Sequence, residues 1–139
     1  MSRKGVLKLE IADTPHSREH GLMDRKEMDE NEGMLFKFDS PQVLKFWGMK
    51  TYIPLDIAFI SPEHKIVKID RIEPFCLKTV GSDTDCIMAI ETNQGYFNSN
   101  KIKAGDHVRL RKDNKCDIAI FGLAPDEDDI NVTLKDLFS

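Results

Sequence analysis

The sequence predicts an α+β fold: a strongly bent, mostly antiparallel β-sheet, closing toward a partial barrel, with two short helices. Three observations predict it. Apolar residues gather in strand-length runs such as Ile57-Ala58-Phe59-Ile60, and turn residues separate them at short intervals. Helix-start chemistry appears at two places. The chain has 139 residues with an apolar fraction of 40%. A chain of this size fits one domain that buries about two-thirds of its unfolded surface without a disulfide or metal staple.

Val6-Leu7-Lys8-Leu9-Glu10-Ile11-Ala12 alternates and reads as the first strand. Asp13-Thr14-Pro15 then starts a helix: Thr14 can cap free amides, and Pro15 suits the first helical position. Leu22-Met23 should anchor that helix to the core. After the turn Asp29–Gly33, Met34-Leu35-Phe36-Lys37-Phe38 forms a short strand. Ser40-Pro41 should break it, and Val43-Leu44-Lys45-Phe46-Trp47 should resume it. Pro54 opens the next strand, and Ser61-Pro62-Glu63-His64 turns it into 65–72 as a hairpin. Residues 74–85 read as irregular, and 86–92 as a further strand. The second helix opens at Asn93-Gln94-Gly95 and closes near Lys101-Ile102. His107–Arg111 and Cys116–Phe121 are the last two strands.

The net charge is −4, and it resides in residues 124–139, where five acidic groups face Lys135; the remainder is neutral. With no basic excess, no nucleic-acid partner is expected. Lys101, Lys103, Arg109, Arg111, Lys112 and Lys115 fit the wet face of a strand. The chain divides into a globular domain over 1–123 and an acidic tail over 124–139. Apolar Ile130, Val132, Leu134, Leu137 and Phe138 suit the tail for docking, onto its own domain or onto a protein partner, with a disordered tail as the alternative. No apolar run follows Met1, so no signal peptide is expected; no stretch nears the ~20 residues of a membrane span. Cys76, Cys86 and Cys116 are odd in number and lack a C-x-x-C spacing, which predicts reduced thiols and a cytoplasmic location.

A set of spaced motifs runs in order through the chain: Thr14-Pro15, Arg18, Gly21-Leu22-Met23, Arg25, Glu32–Phe36, Phe38, Phe46-Trp47, Ile53–Ile57, Phe59-Ile60, Glu91 and Gly105-Asp106. Their order and spacing resemble the domain-of-unknown-function 192 family, with a match over residues 6–111. The resemblance implies a compact β-rich fold and no assigned activity. The family usually reads Phe-Trp-Met-Lys-Asn-Thr; here Phe46-Trp47-Gly48-Met49-Lys50-Thr51 stands in its place, with Lys50 where Asn is usual. Residues 112–139 lie beyond the family's usual end.

Three constellations invite a chemical reading. His16-Ser17-Arg18-Glu19-His20 has the H-x-x-E-H spacing of a zinc site, but no third ligand follows, and two solvated histidines explain it. No metal and no cofactor are therefore expected. Cys76 is the candidate reactive thiol, with an inert thiol as the alternative. Arg18, Arg25, Trp47, Lys50, Asp56 and Glu91 form the third set. Asp56 precedes an apolar strand and Glu91 ends one, so both carboxylates are expected at a shared rim, with Trp47 as a stacking wall. Such a set makes either a ligand cleft or a buried ion pair under an aromatic lid. The resulting expectation is a non-enzymatic binding module for a small polar ligand or a peptide. The alternative is a small hydrolase or transferase using Cys76 or Asp56, for which the spacing supplies no nucleophile–base–orienter triplet.

Overall fold

All six residues of Leu55-Asp56-Ile57-Ala58-Phe59-Ile60 are buried, as befits a strand covered on both faces. It is β3 in a computed structural model that describes residues 3–113 and 116–122. The other strands are β1 (Gly5–Ala12), β2 (Glu32–Phe46), β4 (Ile66–Ile72), β5 (Val80–Asn93), β6 (Val108–Asp113) and β7 (Cys116–Phe121). Helix α1 spans Pro15–His20 and α2 spans Tyr96–Ser99. The strands form one sheet in the order β4-β3-β5-β2-β1-β7-β6. Among the described residues only β1 and β2 pair in parallel, because α1 lies between them as a crossover; the other ladders are antiparallel. The fold is thus a strongly curled mixed sheet with little helix, a half-barrel.

The curl brings the two ends of the sheet together. Lys65 and His107 form a bridge, Ile66 N–H donates to the Asp106 carbonyl at 2.9 Å, and Val108 N–H donates to the His64 carbonyl at 2.9 Å. Asp106, buried at this seam, accepts from Lys4 Nζ at 2.9 Å and from the Lys103 amide at 2.9 Å. Because side chains alternate along a strand, the sheet has two apolar faces. Leu7, Leu9, Leu35, Ile60, Ile66, Ile90, Val108 and Phe121 come from both ends of the sheet and meet in one cluster, so theirs is the concave face; Phe97 of α2 plugs it. Met34, Phe36, Ile57, Phe59 and Ala89 lie on the other face, where Leu22, Leu44 and Ile53 cover them.

Two sequence expectations need correcting. Ser40-Pro41 does not break β2, which runs unbroken from Glu32 to Phe46. The register against β5 shifts between Lys37 and Gln42, so Pro41 falls in an irregular stretch of the ladder, where its missing N–H is tolerated. Nor are residues 74–85 irregular throughout, since β5 begins at Val80. The polar run Gly81–Asp85 carries no strand periodicity, yet Val43 pairs with Asp85 and Lys45 with Gly81, and tertiary pairing overrides propensity. The tail expected over 124–139 lies outside the described residues.

Candidate functional site

Glu91 sits in the middle of the sheet, directly opposite Met34 of β2 and Ile57 of β3. It shares their face, the one covered by Leu22, and is only 4% exposed. No hydrogen bond or ion pair among the described residues engages its carboxyl group. Burial among apolar neighbours pushes its pKa up to about 8. At neutral pH the group is therefore mostly the protonated acid, carrying one donor and one acceptor.

Above Glu91 lies a hollow of about 280 Å³. One wall is α1, whose start is fixed by a capping box: Thr14 Oγ1 accepts from the Ser17 amide, and Ser17 Oγ accepts from the Thr14 amide, both at 3.0 Å. That cap holds Arg18 over the hollow. Arg18 Nη1 donates to the Lys37 carbonyl at 2.9 Å, and the guanidinium lies 4.9 Å from the Phe38 ring centre. Phe36 and Phe46 meet edge to face at 4.9 Å, and Leu22, Met23, Lys45, Trp47 and Thr51 complete the lining. Trp47 is 44% exposed, a large apolar ring left partly in solvent.

Trp47 projects from a segment locked on both sides. Gly48 N–H donates to the Cys76 carbonyl at 2.9 Å, and a Cβ on Gly48 would stand 2.0 Å from the Glu73 carbonyl oxygen, so only glycine fits. The Asp24 amide donates to the Lys50 carbonyl, and the Phe75 amide donates to the Thr51 carbonyl. Asp24, Lys50 and Phe75 all have left-handed backbones, with φ of 69°, 54° and 58°. Such strained residues persist where surrounding structure over-determines them, often beside functional sites. The left-handed backbone at Lys50 is one that Asn, which the family resemblance implies for this position, adopts more readily.

Of the residues singled out in the sequence, the fold brings Arg18, Trp47 and Glu91 to one hollow. It does not bring Asp56 there. Asp56 pairs with Thr92 and Arg71, one residue out of step with Glu91, and so points to the opposite face of the sheet. Its carboxylate accepts from the Gly95 amide at 2.8 Å, at a glycine with φ of 95° that starts α2, and faces Arg71 Nε at 3.9 Å. The shared carboxylate rim expected from the sequence is therefore corrected: the two acids occupy different faces. Arg25 pairs with Glu10 at the surface. Lys50 is exposed outside the lining, and Cys76 is half-buried in the 73–76 turn, also outside it. Cys86 is fully buried, and burial pushes its thiol up. His16 and His20 stack at 6.4 Å on exposed α1. Among the described residues no group of three His, Cys, Asp or Glu side chains is placed to hold a metal ion. The aromatic walls Phe36, Phe38 and Phe46, quoted in the sequence only as motif residues, and the rim Lys45 were not among the candidate site residues. Their signal was there, since Phe36 and Phe38 share Met34's parity and hence its face.

Residues 1–110 match the sequence pattern of the family DUF192, described as "Uncharacterized ACR, COG1430". The chain belongs to that family. Two solved structures resemble this DUF192 chain. One is a protein of unknown function from Novosphingobium aromaticivorans DSM 12444, 31% identical, with a TM-score of 0.74 and coverage of 76% of each chain. The other, from Sinorhizobium meliloti 1021, is named a "putative transcription regulator"; it is 32% identical with a TM-score of 0.71, covering 73% of this chain and 79% of the other. No curated protein matches the chain. Among its described residues no helix is long and apolar enough to cross a membrane.

Proposed function

We propose that this DUF192 chain is a non-enzymatic binding module whose hollow beside α1 takes a small polar ligand or a peptide. One observation carries the reading: a buried carboxyl group with no partner among the described residues faces an open, aromatic-walled hollow. The Glu91 carboxyl opens into the hollow with no protein partner among the described residues, so a ligand that bonds it there uses hydrogen-bonding capacity the fold leaves unspent. The walls supply apolar contact area and the two rim cations supply orientation, the usual division of labour in a small-molecule site. Hydrolysis or group transfer through Cys76 or Asp56 is less well supported, since neither side chain lines the hollow.

The single tryptophan gives a direct readout, because Trp47 forms the rim. Trp47 fluorescence and melting temperature are followed while the full chain is titrated with a panel of metabolites and short peptides. A true ligand quenches or shifts the emission, raises the melting temperature, and loses both effects in Glu91→Ala. Ligands that raise the melting temperature equally in Glu91→Ala, with no change at Trp47, contradict the reading.

A further inference from the structure

We infer that the hollow selects a flat ring carrying a hydrogen-bond donor beside an acceptor on its edge, together with an anionic substituent: an amino-heterocycle or lactam bearing phosphate or carboxylate. This rests on the hollow being a binding site, and it names the ligand class.

The floor argues for the edge. A protonated carboxyl offers O–H and C=O side by side, and a ligand edge with the reverse pair closes both bonds at once. A trans peptide unit points its N–H and C=O to opposite sides, so one carboxyl cannot take both; a ring edge can. The walls argue for flatness. Trp47 and the half-buried Phe46, backed edge to face by the buried Phe36, offer aromatic surface, while Phe38 is already covered by Arg18. The rim argues for the anion. Arg18 has given one of its five donors to Lys37, and Lys45 has no ion-pair partner among the described residues, so two cations oppose Glu19 alone. A cationic ligand would meet both basic groups and would need Glu91 ionised among Met34, Ile57 and Leu22. A volume of about 280 Å³ suits one or two fused rings with a small substituent.

The test uses three probes on the full chain: adenosine 5′-monophosphate, phenyl phosphate and benzylammonium. The first has ring, edge and anion; the second lacks the edge; the third reverses the charge. Binding is read from Trp47 fluorescence and calorimetry at about pH 7 and about pH 9.5. Adenosine monophosphate should bind at least tenfold tighter than phenyl phosphate. Because Glu91 loses its proton near pH 8, that affinity should fall about thirtyfold across the interval. Arg18, Glu19 and His20 from α1 and Lys45 from β2 share the hollow, whereas β3 presents apolar Ile57. Glu91→Gln separates their charges from that of Glu91: it keeps the donor–acceptor pair, so it should keep binding and lose the pH dependence. Equal binding of phenyl phosphate, an affinity independent of pH in the natural chain, or benzylammonium binding that strengthens with pH overturns the assignment. If none of the probes binds while the wider panel yields a Glu91-dependent ligand, the ligand class is wrong and the site stands. If nothing perturbs Trp47, both fall.

Discussion

Glu91 imposes a cost on this protein that an apolar residue in its place would not. The native carboxyl keeps its proton up to about pH 8, whereas an unfolded glutamate loses its own near pH 4.3. Between those values the native state holds the extra proton, so stability falls as pH rises through the window. Glu91→Gln, neutral at every pH, should therefore unfold at higher denaturant than the natural chain, by about 3 kcal/mol at pH 7. The gain should shrink to nothing below about pH 4, where both states of the natural chain are protonated. Urea melts at several pH values check this; a difference that does not vary with pH contradicts it. A residue with this effect at the centre of a sheet is the sort of local inconsistency that functional sites retain. The sequence exposed Glu91, Arg18 and Trp47 through the family motifs. It did not reveal that Asp56 faces away. That depends on the register of β3 against β5, where a shift of one residue exchanges the faces, and nothing local encodes it.

Helix α1 is only six residues long and none of them is buried, so it holds its shape through its cap and its few contacts rather than through packing. Thr14→Ala removes the acceptor for the Ser17 amide and should cost about 1 kcal/mol. Since α1 carries Arg18 to the rim, the same variant should weaken ligand binding, while Trp47 emission in the free protein stays unchanged. Amide hydrogen exchange across residues 14–21 measures the loosening; unchanged exchange contradicts the role given to the cap. This helix was legible because Thr14-Pro15 is a local signal. The long β2–β5 ribbon was only half legible. Met34–Phe38 and Cys86–Thr92 alternate or run apolar, but the continuation through Pro41 and Gly81–Asp85 exists only because each arm pairs with the other.

Across the whole molecule, closure of the half-barrel and the hollow lie on opposite faces of the sheet. Asp106 gathers Lys4 and the Lys103 amide at the seam, and none of the three lines the hollow. Asp106→Ala leaves those donors unpaired and should cost about 2–3 kcal/mol. It should leave the Trp47 emission spectrum and ligand affinity unchanged at temperatures where the chain is folded. A matching loss of affinity would show that the seam shapes the hollow. The curled sheet was predictable from many short strands in one small chain, whereas the pairing of Lys65 with His107, which closes it, is long-range.

Everything asked of the hollow depends on a carboxyl group that is neutral, desolvated and unpartnered at its floor. Carbon-13 NMR of the glutamate side-chain carboxyls, with Glu91 assigned by comparison with Glu91→Gln, follows that group directly. A titration midpoint near 8 is expected for Glu91. A midpoint in the ordinary range near 4.3 would mean a solvated carboxylate, and the hollow would lose the feature that marks it as a binding site.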